Sequence, residues 1–194
     1  VPALAPVAPV PAIPLASSSA GPTATWATVA LGHLDDPVNT FWQLFALSSG
    51  PAHWELSTPP GVATNGGLVA SVAGGTVLAG IEPSQDLLFS PLAQSTTGGS
   101  VWTPGLLPVG LAPVPDSLAT TGSGHSAALL RTGDGTVVTN AGDLSTWKTV
   151  ATERSLVTTA GGSGCRLRRL TAVSVSGAGT AAGGVCARGG RAGI

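Results

Sequence analysis

The stretch STTGGSVW, residues 95–102, is the most informative part of the sequence, because it places a tryptophan directly after a turn of small polar residues and glycines. Two further tryptophans follow comparable turns, SSGPAH at 48–53 and NAGDLST at 140–146. The three tryptophans are Trp54, Trp102 and Trp147, which stand 48 and 45 residues apart. This near-constant spacing indicates that one structural unit repeats along the chain.

Short apolar runs separated by glycine turns predict what that unit contains. Residues 68–72 and 76–81 flank a Gly-Gly pair, 127–130 and 136–139 flank an Asp-Gly pair, and residues 170–175 precede a Gly-Ala-Gly turn. Glycine adopts the positive φ that tight antiparallel hairpins require. About four short strands in a period of about 40–50 residues are typical of a β-propeller blade. We therefore expect an all-β fold, a propeller-like segment of about four blades, complete or partial, with a β-sandwich as the alternative.

Composition supports this fold class and excludes others. The 194 residues include 8 Lys and Arg, 9 Asp and Glu, 28 Gly and 16 Pro, for a net charge of −1. Charged residues make up 9 % of the chain, too few for the surface of a helical bundle. The near-zero net charge predicts no nucleic-acid partner. The low lysine content and the Ser/Thr/Gly-rich body favour a secreted or cell-envelope protein.

Residues 1–22 form a separate segment in which prolines alternate with Ala, Val and Leu. Proline fixes φ and removes a backbone donor, so extended polyproline II geometry is favoured and a transmembrane helix is not expected. We interpret this segment as an export remnant or a linker and assign residues 23–194 to the repeat domain. The alternative is that the segment contains an edge strand of the fold.

The segment Ser95–Trp102 resembles the Asp-box, or BNR repeat, of sialidase-like propellers, whose pattern is Ser/Thr-x-Asp-x-Gly-x-x-Trp. Ser95, Gly99 and Trp102 match this pattern, whereas Thr97 stands in place of the aspartate. The turns before the other two tryptophans keep the aromatic residue and a nearby glycine. The chain is also similar to actinobacterial exported proteins that contain BNR-like repeats.

The resemblance implies structural roles for these residues. It implies that Ser95 bonds to the turn backbone, that Gly99 serves the turn, and that Trp54, Trp102 and Trp147 pack between blades. A buried tryptophan removes about 200 Å² from water, which makes it an effective anchor between two sheets. The resemblance therefore predicts a structural motif and not a catalytic one.

For function, the resemblance suggests an exported, non-enzymatic binding or scaffold module whose loops contact a glycan, a peptide or a cell-envelope component. One alternative is a sialidase-type glycoside hydrolase that is degenerate or truncated. For that activity the resemblance implies a tyrosine nucleophile, and this chain contains no tyrosine. The other alternative is a propeller of the photosystem-assembly type. We expect no cofactor, and we lean against an enzyme.

Other chemistry-bearing residues show no motif. His33, His53 and His125 lack the spacing of zinc ligands, and Asp35-Asp36 before a proline is typical of a turn. We therefore predict no catalytic, metal or cofactor site. Residues 166–191 contain five arginines and no acidic residue, which gives this part a local charge of +5 that we interpret as serving solubility or pairing between blades; the arginines are Arg166, Arg168, Arg169, Arg188 and Arg191.

The only two cysteines, Cys165 and Cys186, lie about ten residues on either side of the turn at Gly177. Cysteines at equal distance from a hairpin turn can face each other across two antiparallel strands. We therefore predict a disulfide between neighbouring strands, which also suits an exported protein.

Overall fold

The structure is a computed structural model that describes residues 16–18, 24–32, 40–48, 53–60, 67–82, 90–107, 115–130, 135–187 and 191–193. The strands form four antiparallel sheets, each built from strands that follow one another in the chain. The first sheet, blade 1, contains β1 (Ala16–Ser18), β2 (Ala24–Gly32), β3 (Thr40–Ser48) and β4 (Trp54–Leu56). Blade 2 contains β5 (Gly67–Ala73), β6 (Thr76–Glu82), β7 (Ser90–Ser95) and β8 (Thr103–Leu107).

The second half of the chain repeats this arrangement. Blade 3 contains β9 (Ser117–Thr120), β10 (Ser126–Leu130), β11 (Thr136–Asn140) and β12 (Lys148–Thr152). In the described residues, blade 4 has three strands, β13 (Leu167–Ser176), β14 (Gly179–Cys186) and β15 (Arg191–Gly193). Two short helices, α1 (Glu153–Val157) and α2 (Ala160–Cys165), connect blade 3 to blade 4.

The three hairpins predicted from glycine turns are confirmed. β5 pairs with β6, β10 with β11, and β13 with β14, all antiparallel. The first turn consists of Gly74 and Gly75 at φ of +55° and +85°, a conformation that side chains strongly disfavour. The local turn chemistry therefore sets the register of these strands.

Three apolar cores join consecutive sheets, one core for each junction. The first contains Trp26, Leu44 and Ala46 of blade 1 against Leu68, Val72, Val77 and Ala79 of blade 2. The second joins blades 2 and 3, and the third joins blades 3 and 4. We call the side of a sheet that faces the preceding blade its front, and the other side its back. The first strands of consecutive blades are also in contact, since β9 contacts both β5 and β13.

Strand β6 shows how one sheet serves two cores. Val77 and Ala79 point to the core shared with blade 1, and Leu78 between them points to the core shared with blade 3. Successive side chains of a strand lie on opposite faces, so a strand covered on both faces must be apolar throughout. β10 follows the same rule, since all five of its residues are buried.

The architecture is therefore all-β and propeller-like, with four blades packed in series. Four sheets and three cores do not match the two sheets and single core of a sandwich, so that alternative is wrong. Among the described residues, no apolar core joins blade 4 to blade 1. No other sheet of the described residues packs on the front of blade 1 or on the back of blade 4.

Two features depart from the sequence interpretation. β1 pairs with β2 at Ala16–Ser18, so the sheet begins inside the segment that we interpreted as an export remnant or linker. This agrees with the edge-strand alternative, while residues 1–15 and 19–22 lie outside the described part of the chain. The all-β prediction also did not include α1 and α2, which are capped at their N-termini by Thr152 and Thr159, whose side chains accept backbone hydrogen bonds. Neither helix is long and apolar enough to cross a membrane, nor is any other in the described residues.

Candidate functional site

The turn at residues 95–102 is held by its own side chains. The Ser95 hydroxyl accepts hydrogen bonds from the backbone N–H groups of Thr97 and Gly99 at 3.2 and 2.8 Å. The Thr97 hydroxyl accepts one from the N–H of Val101 at 3.0 Å, and so supplies an acceptor where the Asp-box pattern has a carboxylate. The turn thus satisfies its backbone donors with hydroxyl oxygens and without a charged group.

The same turn also contacts blade 1. Gly99 has a φ of +89°, and a Cβ atom placed on it would lie against Ser57 and 2.6 Å from Cη2 of Trp26. Any side chain here would displace the indole that fills the first core. The glycine is therefore required by packing against the preceding blade as well as by its backbone conformation.

The corresponding turn of blade 3 reaches back to blade 2 in a similar way. Leu144 is buried against Gly105, and its carbonyl accepts hydrogen bonds from the N–H of Leu106 and the indole N–H of Trp147. Asp143 accepts from Ser145 N and from the Thr146 hydroxyl. Both bonds stabilise the carboxylate and therefore hold the pKa of Asp143 below its ordinary value of 3.8. The bond from the Thr146 hydroxyl has the larger effect, followed by the bond from the Ser145 N–H.

The three predicted tryptophans occupy equivalent places but different environments. Trp102 packs against the core between blades 1 and 2, and Trp147 against the core between blades 2 and 3. Trp54 lies on β4 with 47 % of its surface exposed. No sheet in the described part of the chain lies in front of blade 1, so the packing of Trp54 between two blades stays a prediction.

The most deeply buried tryptophan is one that the repeat pattern did not single out. Trp26 is 3 % exposed and sits at the centre of the first core. It is the third residue of β2, and its sequence does not match the turn-plus-tryptophan pattern. Its place within the alternating strand ATWATVALG is the signal that would have found it.

A polar cleft of about 530 Å³ opens beside the 95–102 turn, between blades 1 and 2. Blade 1 contributes Glu55, Leu56 and Ser57 from β4 and the residue after it. The turns of blade 2 contribute the opposite wall, formed by Gly75, Thr96, Thr97, Gly98, Gly99 and Ser100. At the rim, Nε2 of His53 lies 2.8 Å from Oε1 of Glu55, and both side chains are exposed.

A smaller, charged cleft of about 220 Å³ lies between blades 3 and 4. Asp116, Glu153, Arg168 and Arg169 line it together with apolar residues. Oε2 of Glu153 accepts a hydrogen bond from the Leu170 N–H at 2.9 Å, so this carboxylate already connects α1 to blade 4. Two of the clustered arginines thus lie near acidic residues at a junction of blades. Arg188 falls outside the described residues.

Cys165 and Cys186 form a disulfide with a Cα–Cα distance of 5.2 Å. Cys186 ends β14, whereas Cys165 ends α2, so the bond fastens the helical connection to the second strand of blade 4 and does not join two strands. In the described part of the chain, no group of three His, Cys, Asp or Glu side chains is arranged to hold a metal ion. His33, Asp35 and Asp36 lie outside it.

Comparison with known proteins gives distant structural neighbours. No protein-family model and no curated protein matches the sequence. A solved structure of a subtype N11 neuraminidase-like protein of A/flat-faced bat/Peru/033/2010 (H18N11) has 10 % identity and a TM-score of 0.45, with 89 % of this chain and 56 % of that chain covered. A structure of YCF48 bound to D1 peptide has 15 % identity and a TM-score of 0.35, with 91 % and 65 % covered. The chain thus spans less than two thirds of the length of either neighbour.

Proposed function

We propose that the chain is an exported, non-enzymatic binding module built of BNR-like blades, and that the polar cleft between blades 1 and 2 is its contact site. The observation that supports this most directly is the composition of the cleft. Hydroxyls, turn backbone and one carboxylate surround an open space of about 530 Å³, with Leu56 as an apolar contact. Such a mixture of donors, acceptors and one apolar side chain suits a neutral or cationic polar ligand, such as a glycan or a peptide.

The walls of the cleft come from a rigid frame. The Thr97 and Ser95 hydroxyls fix the turn that forms one wall, and Gly99 holds that turn against blade 1. A wall that keeps its shape loses little conformational entropy when a ligand binds. The disulfide between Cys165 and Cys186 supports the exported location, since such bonds persist in oxidising compartments.

The test is a glycan and peptide array probed with the purified chain and two variants. Glu55→Gln removes the only carboxylate among the described residues that line the cleft, and Asp143→Asn removes the same charge from the turn of blade 3. We expect a small set of array ligands whose binding falls about tenfold or more with Glu55→Gln and is unchanged with Asp143→Asn.

Two results would contradict the proposal. If bound ligands are equally insensitive to both variants, the cleft is not the contact site. If the wild-type chain turns over a fluorogenic sialoside, the non-enzymatic interpretation is wrong and the sialidase-type alternative gains support.

A further inference from the structure

The outer edge of blade 1 is an open strand edge beside the polar cleft. β4 is the last strand of its sheet, and no other strand of the described residues pairs with it on the side away from β3. All three of its residues are exposed. A free edge presents unpaired N–H and C=O groups that can pair with a further strand. β4 therefore offers a template for the addition of an extended peptide.

The ladder between β3 and β4 shows which backbone groups point outward. The Ser57 N–H donates to the Leu44 carbonyl at 2.8 Å, and the regular register continues back through Glu55. Backbone groups of successive residues in a strand point alternately to its two edges. Because Ser57 and Glu55 bond toward β3, the N–H and C=O groups of Trp54 and Leu56 face the open edge.

The equivalent edges of blades 2 and 3 are protected. Counted from the tryptophan after the turn, Leu56 corresponds to Pro104 in blade 2 and to Thr149 in blade 3, and all three pair with equivalent third-strand residues. Pro104 has no N–H to offer. In blade 3, Lys148 precedes Thr149, and a register shift interrupts the pairing of β11 with β12. Proline, lysine and bulges commonly prevent strand addition, and β4 contains none of them.

The side chains beside this edge indicate the chemistry of the added strand. Glu55 lines the cleft between blades 1 and 2, and its Oε1 lies 2.8 Å from Nε2 of His53 at the rim. Trp54 and Leu56 project on the other side of β4, with 47 and 65 % of their surfaces exposed. Residues directly opposite in neighbouring strands project on the same face, where opposite charges and apolar pairs are favourable. The complementary strand therefore has a basic residue opposite Glu55 and apolar residues on either side of it.

We propose that the ligand of the cleft is an extended peptide that adds to the open edge of β4 as a fifth strand of blade 1, with a basic side chain beside Glu55. This inference rests on the proposed function and narrows its ligand class to a basic peptide. Backbone bonds to Trp54 and Leu56 supply affinity that depends little on sequence, and Glu55 selects the charge. The turn at residues 95–102 forms the opposite wall of the cleft.

The test uses an array of acetylated heptapeptides with lysine at the centre and every combination of Val, Ile, Phe and Thr at its two neighbouring positions. A second array has glutamate in place of the lysine. We expect binding to peptides of the first array only. In those peptides, methylation of backbone nitrogens should abolish binding either at the lysine or at its two neighbours but not at both, because only alternate amides of a strand face β4.

Two substitutions transfer residues of the other blades to β4. Leu56→Pro introduces the residue of blade 2 and removes one outward N–H, and Glu55→Lys introduces the residue of blade 3. Each should weaken peptide binding at least about tenfold. Leu56→Ala keeps the N–H and should weaken binding less than Leu56→Pro does. Thr149→Pro is the matched control on blade 3 and should leave binding unchanged. If Leu56→Pro does not fold, the methylated peptides test the same backbone bonds.

Three results would overturn the inference, and they separate it from the proposed function. If glycans bind the cleft and no lysine peptide does, the added strand is wrong while the cleft remains a contact site. If peptides bind and tolerate both Leu56→Pro and each methylation pattern, the ligand does not pair with β4. If no glycan and no peptide binds, both proposals are wrong.

Discussion

At the scale of single residues, Thr97 and Trp102 belong to one turn but stabilise different parts of the structure. Thr97 supplies one hydrogen-bond acceptor to the N–H of Val101, within an exposed part of the turn. Trp102 packs against the core that joins blades 1 and 2. The threonine therefore affects the turn locally, whereas the tryptophan affects the junction between two sheets.

We expect Trp102→Ala to lower the free energy of unfolding by about 2–4 kcal/mol, as large-to-small changes at packed aromatic positions do. Thr97→Ala should cost about 0.5–1.5 kcal/mol, because one hydrogen bond to an exposed N–H is lost and water can replace it. Denaturant titrations of both variants measure the difference. Equal, small shifts of the two midpoints would contradict the anchoring role of Trp102.

Alanine substitutions at Gly98 and Gly99 separate the contribution of backbone conformation to stability from that of packing. Both have positive φ, of +65° and +89°, so alanine at either position is strained by about 1–2 kcal/mol. A Cβ on Gly98 meets nothing within 4 Å, whereas one on Gly99 meets Trp26 and Ser57. We expect Gly99→Ala to cost a further 1–3 kcal/mol, about the cost of overpacking a core. Thermal unfolding measures the stability of the two variants. Similar losses of stability would mean that the Trp26 side chain moves aside without strain.

At the scale of elements, the disulfide connects α2 to β14, next to a hydrogen bond from the Ala187 N–H to the Arg166 carbonyl. α2 is six residues long and contains three glycines, so it has little stability of its own. The bond from Cys165 to Cys186 spans 21 residues and closes the loop that contains β13. It therefore holds the helical connection against the front of blade 4, where Leu167 and Cys186 are paired.

We expect the double variant Cys165→Ser/Cys186→Ser to be less stable by about 3 kcal/mol, the loop-entropy value for a closure of this length. The loss should appear in denaturant titrations of the variant and equally in wild-type protein treated with a reductant. Thiol titration of unfolded, unreduced wild-type chain should find no free thiol. Two reactive thiols per chain would show that the bond does not form in solution.

The elements show where sequence reasoning succeeds. The β5–β6 hairpin was predictable because Gly74-Gly75 marks the turn and the flanking residues are strongly apolar. α1 was not predicted, because the helix capped by Thr152 and Ser155 has only five residues, too few to show helical periodicity. A turn can be recognised from a few adjacent residues, whereas a helix this short depends on packing against the sheets around it.

The candidate site was less predictable than the fold for a related reason. Ser95 and Gly99 were found because one local pattern contains both. The cleft beside them also needs Glu55 and Ser57, about forty residues earlier and in another sheet. No spacing rule connects the two walls, because the packing angle between blades 1 and 2 brings them together.

At the scale of the whole molecule, the serial packing of blades implies unequal local stability. Blades 2 and 3 are covered on both faces, whereas the described residues place a neighbouring sheet on only one face of blade 1 and of blade 4. In arrays that contact only nearest neighbours, stability adds up from the units and their junctions, so central units open last. Hydrogen exchange reports such differences segment by segment.

We expect the amides of β10 to exchange slowest, because Ser126–Leu130 is buried throughout and pairs with strands on both sides. The amides of β4 should exchange fastest among the strands, since Trp54, Glu55 and Leu56 are all exposed at the edge of blade 1. Uniform protection across all the strands would mean that the chain unfolds as one unit, and the nearest-neighbour description of its blades would be wrong.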